Sequence, residues 1–190
     1  MFATSHSGYR SFDAGQTWVS AFGSVSSIMN SITIKGSRVF ISGGSTWYSD
    51  NWGTNATMVN SMPGIYTSCG NFVENGGSVC TLGNCVYMVS DYGDVYKLDS
   101  TDTYWTHLFC FSTDIWSNYD HYPEIKNFDN ILVVTCDSTM FLSYDSGATW
   151  THPTMNGLPL NMQHQKICPQ SIVGTNGQFI GVCQKNIYTT

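Results

Sequence analysis

Short apolar segments alternate with polar turns along the chain. Four segments are rich in β-branched and aromatic residues and are bounded by Gly, Asn, Asp and Ser: Val39–Ser42, Val86–Val89, Ile131–Val134 and Phe179–Val182. Each is followed by a polar turn and a second short run: Thr46–Tyr48, Val95–Tyr96, Met140–Leu142 and Ile187–Tyr188. Such runs predict β-strands, and their continuous apolarity predicts burial on both faces. No stretch has the period of a long amphipathic helix, so the pattern predicts an all-β protein.

One phrase of the form Ser-x-Asp-x-Gly-x-Thr-Trp occurs at positions 11–18 and again at 143–150. Its Ser and Asp side chains accept hydrogen bonds from backbone N–H groups a few residues on, and its Gly takes a positive φ. Thr-Trp begins the next strand, and the Trp covers the turn from the core side. The phrase predicts two structural turns, formed by Ser11, Asp13, Gly15, Thr17 and Trp18 and by Ser143, Asp145, Gly147, Thr149 and Trp150.

The phrase resembles the Asp-box, or BNR repeat, of sialidase-like β-propellers, and both copies match that pattern completely. The resemblance implies a fold rather than an activity. In that family the Asp-box joins the third and outermost strands of a blade, away from the catalytic face.

Weaker copies of the phrase lie between and after the complete ones. Aligned on its first residue, the copies begin at Ser11, Ser49, Leu98, Ser143 and Thr190, with spacings of 38, 49, 45 and 47 residues. About 40–50 residues is the length of one four-stranded propeller blade. The sequence therefore predicts a single domain over residues 1–190, an all-β propeller of about five four-stranded blades with the first and last incomplete. A β-sandwich or an open array of hairpins is the alternative.

The two terminal segments align with different strands of a blade. The amino-terminal one matches the second, third and outer strands, and the carboxyl-terminal one matches the inner, second and third. We expect these blades to close on each other or to be completed by another chain. A four-bladed ring with an additional hairpin, or a fragment of a larger propeller, remains an alternative. Open sheet edges pair readily with neighbours, so self-assembly is expected.

The composition points to a surface environment. Charged residues make up 11% of the chain, against about 25% in a typical soluble protein, and an uncharged Ser-, Thr-, Asn- and Tyr-rich surface is commoner on extracellular, cell-surface or virion proteins. The net charge is −6, which argues against nucleic acid and anionic membranes as partners, because binding to both needs clustered Lys and Arg. We expect no signal peptide, because Met1–Ser7 has no basic start and no apolar run. We expect no membrane insertion, because no stretch approaches ~20 apolar residues.

The chain has seven cysteines and no Cys-x-x-Cys pair, so the odd count leaves at least one outside any internal disulfide. Cys80 and Cys85 flank a short turn and could close a hairpin as a disulfide. The alternative is that they are buried thiols behaving as small apolar residues.

The resemblance makes sialidase the first activity to consider. Sialidases use three arginines to bind the substrate carboxylate, whereas this chain has only Arg10 and Arg38. Other propeller glycosidases need two facing carboxylates, and no such pair is marked. Gly-x-Ser-x-Gly and His-x-x-x-His are both absent, and Asp91–Asp94 lacks calcium-ligand spacing and is interpreted as turn residues. We expect no catalytic residues, no metal and no cofactor.

A binding surface is better supported. In propellers, ligands meet the connections from an outer strand to the next inner strand, and the richest one here is Phe111–Tyr122. Aromatic faces stack on sugar C–H groups while planar polar groups bind hydroxyls. The alternatives are packing against the rim and a protein contact. A glycan site would use Asp114, Trp116, Tyr119, Asp120, His121 and Tyr122.

The leading hypothesis is a non-catalytic extracellular, surface or virion module that assembles with copies of itself or with other proteins. A lectin-like, glycan-binding propeller is the second hypothesis. A glycoside hydrolase is the third, and the arginine count disfavours it.

Overall fold

Antiparallel β-sheets make up the computed structural model of the chain. It describes residues 1–4, 8–23, 25, 29–43, 45–59, 76–90, 93–99, 104–111, 123–136, 139–154, 156, 171–175, 178–183 and 186–189. The strands within these ranges are β1 Phe2–Thr4, β2 Gly8–Arg10, β3 Val19–Ala21, β4 Met29–Lys35, β5 Arg38–Gly43, β6 Thr46–Ser49, β7 Thr57–Met58, β8 Gly76–Leu82, β9 Cys85–Ser90, β10 Asp94–Asp99, β11 Thr106–Cys110, β12 Glu124–Phe128, β13 Ile131–Cys136, β14 Thr139–Ser143, β15 Ser171–Thr175, β16 Gln178–Cys183 and β17 Asn186–Thr189.

The strands form five sheets in chain order, and each strand pairs with its sequence neighbour. Sheet 1 is β1-β2-β3, sheet 2 is β4 to β7, sheet 3 is β8 to β11, sheet 4 is β12-β13-β14 and sheet 5 is β15-β16-β17. Within the described residues, the first and last sheets therefore have three strands each, as the repeat spacing predicts. In the part of sheet 4 that the structure describes, three strands are present instead of the predicted four, and the outer strand is represented by one bridge between Leu142 and Thr151.

Two-residue hairpins join the first two strands of sheets 2, 3 and 4. Their last pairs before the turn are Lys35–Arg38, Leu82–Cys85 and Phe128–Ile131. The first turn residue has a positive φ in each, at Gly36, Gly83 and Asp129. Short turns of this kind match the right-handed twist of the flanking strands.

The hydrophobic core lies between consecutive sheets. Separate clusters are centred on Phe22 and Ile41 between sheets 1 and 2, and on Phe40 and Met88 between sheets 2 and 3. Tyr87 belongs to the cluster between sheets 3 and 4. A fully buried side chain of this size stabilises the fold by about 1.5–3 kcal/mol, so each sheet depends on its neighbours.

Inner strands carry the polar contacts between sheets. The Val79 N–H donates to Ser31 Oγ over 3.0 Å, which joins β8 to β4. Asn127 Nδ2 donates to the Thr81 carbonyl over 3.0 Å, which joins β12 to β8. In the described part of the chain, no strand of sheet 5 makes an extensive contact with sheet 1.

Candidate functional site

The six residues predicted to bind a glycan, Asp114, Trp116, Tyr119, Asp120, His121 and Tyr122, lie outside the described residues. The structure does describe the strands that lead into and out of their connection. β11 ends at Cys110 and β12 begins at Glu124. The side chains on β11, and on its partner β10, are the described residues that precede the predicted site in the chain.

A buried carboxylate lies on these strands. Asp94 opens β10 and is paired in register with Cys110. Its side chain is 0% exposed, and Oδ1 lies 2.8 Å from His107 Nε2, whose side chain is 29% exposed. A buried carboxylate is costly unless it is paired or hydrogen-bonded. The imidazole Nε2–H therefore donates to Asp94, and the outer edge of the ring meets solvent.

Tyr96 completes this cluster from the interior. Its ring meets the His107 ring edge-on, with the centroids 5.3 Å apart and the planes at 66°. Burial, and after it the charge of Asp94, raises the pKa of the Tyr96 phenol. The phenol is therefore neutral at physiological pH. Together the three side chains present one polar, aromatic-backed imidazole to solvent.

The repeated phrase forms a closed hydrogen-bonded turn between β2 and β3. Ser11 Oγ donates to Asp13 Oδ1 over 2.7 Å and accepts from the Gly15 N–H over 2.7 Å. Asp13 accepts from the Thr17 N–H over 2.8 Å and from its hydroxyl over 2.5 Å. Trp18 Nε1 donates to the Gly15 carbonyl over 3.0 Å.

The copy that follows β14 has the same bonds. Ser143 Oγ donates to Asp145 and accepts from the Gly147 N–H, over 2.9 and 2.8 Å. Asp145 accepts from the Thr149 N–H and hydroxyl over 2.8 and 2.5 Å, and Trp150 Nε1 donates to the Gly147 carbonyl over 3.1 Å. One sequence pattern thus builds one turn at two distant places.

The weaker copy after β6 keeps this turn with an amide in place of the carboxylate. Ser49 Oγ donates to Asn51 Oδ1 over 2.9 Å, and the same oxygen accepts from the Asn55 N–H over 2.9 Å. The Gly53 N–H donates to Ser49 Oγ over 2.8 Å. Because the acceptor atom has the same position, Asn substitutes for Asp at this point of the phrase.

Two consecutive residues in each turn have left-handed backbone. The φ angles are 56° and 92° at Ala14 and Gly15, and 59° and 88° at Ser146 and Gly147. The second of each pair is Gly, the residue that adopts positive φ at least cost.

Hydrogen bonding sets the charge state of the turn carboxylates. The Thr17 hydroxyl and N–H, and then Ser11, lower the pKa of Asp13 to about 2. The Thr149 hydroxyl and N–H lower the pKa of Asp145 in the same way. Both side chains are therefore ionised at neutral pH, which suits their role as acceptors only.

The turns that follow β6 and β14 pack on the preceding sheet. The Trp52 ring stacks on Phe2, with centroids 5.7 Å apart and planes at 3°. At the equivalent place in the last complete phrase, Tyr87 Oη donates to the Ser146 carbonyl over 3.0 Å. A Cβ on Gly147 would lie 2.7 Å from Leu108 Cδ1. The turn is therefore a tertiary contact between sheets as well as a local one.

Both arginines of the chain are engaged on this side of the sheets. Arg10 Nη1 donates to the Trp52 carbonyl over 2.6 Å and to Thr54 Oγ1 over 2.9 Å. Arg38 forms a bidentate ion pair with Asp50, in which Nε donates to Oδ1 over 2.6 Å and Nη2 donates to Oδ2 over 2.8 Å. Its Cζ lies 4.2 Å from the centroid of the Tyr48 ring.

The disulfide considered between Cys80 and Cys85 is not formed, and both residues are thiols. Cys80 is paired in register with Tyr87 and Cys85 with Leu82, so the two cysteines are diagonal neighbours. Diagonal positions are about 7–8 Å apart, beyond the Cα separation that a disulfide spans. Cys110, in contrast, is disulfide-bonded.

The described residues contain no group of three or more His, Cys, Asp or Glu side chains that could hold a metal ion. They also contain no helix that is long and apolar enough to span a membrane.

No protein-family model matches the chain, and neither does any curated protein. Solved structures do. YCF48 bound to D1 peptide has a TM-score of 0.59 at 15% identity over 96% of this chain and 56% of that one. The GH74 xyloglucanase from Xanthomonas campestris has a TM-score of 0.65 and 13% identity, over 95% of this chain and 31% of that one. A chain of the nidogen/laminin complex has a TM-score of 0.60 and 13% identity, over 96% of this chain and 68% of that one.

The chain has a β-propeller fold. Sheets 1 to 5 are its blades 1 to 5, and the predicted architecture is confirmed. Identity at this level shows the fold alone. The chain spans about half or less of the YCF48 and xyloglucanase chains.

Sequence reasoning missed the pairing of Asp94 with His107. The sequence places Asp94 in a turn region, and the residue does follow the β9–β10 turn, but its carboxylate is buried. No local motif marks the pair. β10 and β11 are consecutive strands of one blade, and a register shift between Val95 and Tyr96 pairs His107 with Tyr96, on the same face of β10 as Asp94.

Proposed function

We propose that this protein is a non-catalytic structural or interaction module of an extracellular, cell-surface or virion assembly. It joins copies of itself or other proteins through its propeller. One observation carries the proposal: blades 1 and 5 expose apolar side chains, among them Trp18, Val173 and Ile180, on faces that the inner blades bury. Exposed apolar surface of this kind marks protein contacts.

Proteins of similar fold support an interaction role. The solved structures include YCF48 bound to a peptide and nidogen in complex with laminin. The Asp-box family relationship is part of the same proposal. Its support is the identical hydrogen bonding of the two complete phrases.

The arginines support the non-catalytic part of the proposal. Arg10 binds the Trp52 carbonyl and Arg38 binds Asp50, both beside the structural turns. Neither has the freedom to bind a substrate carboxylate on the opposite face. A sialidase assay tests this point, and turnover above background would overturn it.

The location is supported by the disulfide at Cys110 and by the low content of charged residues. Disulfides persist in oxidising surroundings and are rare in the cytosol. An uncharged surface rich in Tyr and Trp fits the same environment.

Light scattering at rising protein concentration tests the assembly role. We expect the mean mass to rise above the 21.0 kDa of one chain. A constant monomer mass, together with no binding to other surface proteins of its source, would overturn the proposal.

A glycan-binding role is the second candidate, and the Asp94–His107 pair favours it. The His107 side chain is 29% exposed on the strand that leads into the predicted connection, and an imidazole can bind sugar hydroxyls. We expect Trp116→Ala and His107→Ala to abolish binding on a glycan array. Tyr144→Ala is the matched control, because that exposed ring lies on the turn side. Unchanged binding in both variants would exclude the site.

A further inference from the structure

Consecutive blades meet through one repeated contact. The last position of the phrase is Trp18, Ala56, Trp105 and Trp150 in blades 1 to 4. In blades 2 to 4 this residue packs against the preceding blade. Ala56 packs on the core cluster shared with blade 1, and Trp105 is 4% exposed in the cluster shared with blade 2. Trp150 stacks on Phe109 of blade 3, with centroids 5.7 Å apart.

The receiving half of this contact is a fixed position on the second strand. In every blade this position lies opposite the residue that precedes the phrase in the cross-strand register. It is Phe2, Phe40, Tyr87, Val133 and Ile180 in blades 1 to 5. The Phe2 and Tyr87 rings contact the next blade's turn at Trp52 and Ser146. Phe40 and Val133 lie in the core clusters shared with the next blade.

Each half of the contact is left uncovered once. Trp18 on blade 1 is 40% exposed, whereas its equivalents are partly or fully buried. On blade 5, Ile180 is 46% exposed and its cross-strand neighbour Val173 is 60% exposed. At the same two positions on blade 3, Tyr87 and Cys80 are buried.

We propose that these two surfaces bind each other between copies of the chain. The first phrase of one copy, Ser11–Trp18, docks on the blade 5 face of a second copy, formed by Val173 and Ile180. The docking continues the geometry that already joins blades 1 to 4. It rests on the proposed assembly role and specifies how copies meet. The two faces differ, so the contact is head-to-tail and builds a ring or a filament.

The side chains that would meet across this contact are compatible with a second copy of the chain as the partner. The residue before the phrase glycine meets the second-strand residue: Trp52 meets Phe2, and Ser146 meets Tyr87. The equivalent residue in the first phrase is Ala14, so docking places Ala14 against Ile180. Both are apolar, and neither half introduces a charge that would have to be buried.

A charge exchange tests the contact. Ala14→Asp suits the left-handed φ of 56°, which Asp tolerates, and Ile180→Lys lies on an exposed face. Ile180→Lys would place an unpaired charge where the equivalent Tyr87 is buried. Ala14→Asp would place one at the edge of the contact, where the equivalent Trp52 and Ser146 stay exposed. We expect Ile180→Lys to raise the concentration at which assembly begins at least about tenfold, and Ala14→Asp to raise it less. An equal mixture of the two variants, or the double variant, pairs the charges and should restore assembly.

Sedimentation velocity is the readout, and thermal melting checks that each variant is folded. Val173→Lys is a second variant of the same face. Ile34→Lys changes an exposed residue away from both faces, and Phe12→Ser changes an exposed residue within the phrase itself. Both variants should assemble like the wild type. Phe12 is a fair control because its equivalent, Tyr144, stays exposed in a docked phrase.

Two results would overturn this contact. If wild-type protein assembles and the charged variants assemble equally well, copies meet elsewhere and the proposed function stands. If wild-type protein stays monomeric at every concentration, the two faces do not mate between copies. The proposed function would then rest on binding to other proteins alone.

Discussion

At the scale of single residues, the phrase glycine serves conformation and packing together. Gly147 has φ 88°, and a Cβ there would lie 2.7 Å from Leu108 Cδ1. We expect Gly147→Ala to lower the free energy of unfolding by about 2–4 kcal/mol, from backbone strain and overpacking. Urea unfolding measures it.

Gly83 supplies the matched control. It also has a positive φ, 57°, but a Cβ there would meet no atom within 4 Å. Gly83→Ala should therefore cost about 1 kcal/mol, the strain alone. Equal losses for the two variants would show that packing against Leu108 contributes nothing.

Protonation of Asp13 should destabilise the fold at low pH. Its pKa is lowered to about 2 by Thr17 and Ser11 in the folded state, against about 3.9 in an unfolded chain. A depressed folded pKa stabilises the protein above the unfolded pKa, and the contribution is lost as pH falls. We expect the melting temperature to fall between about pH 4 and pH 2, and NMR titration of the carboxyl should give the low pKa directly.

Asp13→Asn separates the charge from the turn. Asn51 already fills this place in the second phrase and keeps the same acceptor bonds, so the variant should fold. Its melting temperature should depend less on pH in the acid range than that of the wild type. An unchanged acid dependence would assign the transition to other carboxylates.

Substitution of His107 should destabilise the fold, because it breaks a hydrogen bond to a buried carboxylate. His107→Leu removes the donor 2.8 Å from the fully buried Asp94 carboxylate. We expect a loss of about 1–3 kcal/mol in the free energy of unfolding. His107→Gln retains an N–H donor and should lose less. Equal losses would show that the ring's packing on Tyr96, rather than the hydrogen bond, holds the site together.

At the scale of elements, the phrase tryptophans should differ in importance. Trp150 stacks on Phe109 of the preceding blade, whereas Trp18 is 40% exposed. In dilute solution we expect Trp150→Ala to cost about 2–3 kcal/mol and Trp18→Ala about 1 kcal/mol or less. Chemical unfolding of both variants measures the two losses in the free energy of unfolding. A large loss at Trp18 in a monomer would mean that blade 5 of the same chain covers it.

The elements themselves could be predicted from the sequence because the blade repeats a local pattern. The apolar run Val86–Val89 and the phrase at 143–150 lie where the pattern places a second strand and a strand-to-strand turn. The single bridge that represents the outer strand of blade 4 in the described residues, between Leu142 and Thr151, could not be predicted. Whether Thr151 extends a strand depends on which partners remain for pairing, and no local pattern records that.

At the scale of the whole molecule, the spacing of the phrase predicted the number of blades and their order. The side chains that meet between blades were not predictable in the same way. Phe109 and Trp150 stack across two blades although 40 residues separate them, and the contact follows only from the angle between blades. The candidate site was not predictable either, because Asp94 and His107 belong to no motif and meet through a register shift within one blade.

The redox state of the molecule gives the last prediction. Cys110 is disulfide-bonded, while Cys80 and Cys85 are thiols. Burial raises the pKa of the Cys80 thiol to about 12, so Cys80 should react with an alkylating agent only after unfolding. Mass spectrometry of denatured, unreduced protein should find Cys80 and Cys85 alkylated and Cys110 protected. Reduction should release Cys110 and lower stability by about 2–5 kcal/mol. Alkylation of Cys110 without reduction, in protein taken from its natural source, would instead place the chain in a reducing compartment and remove a support for a surface location.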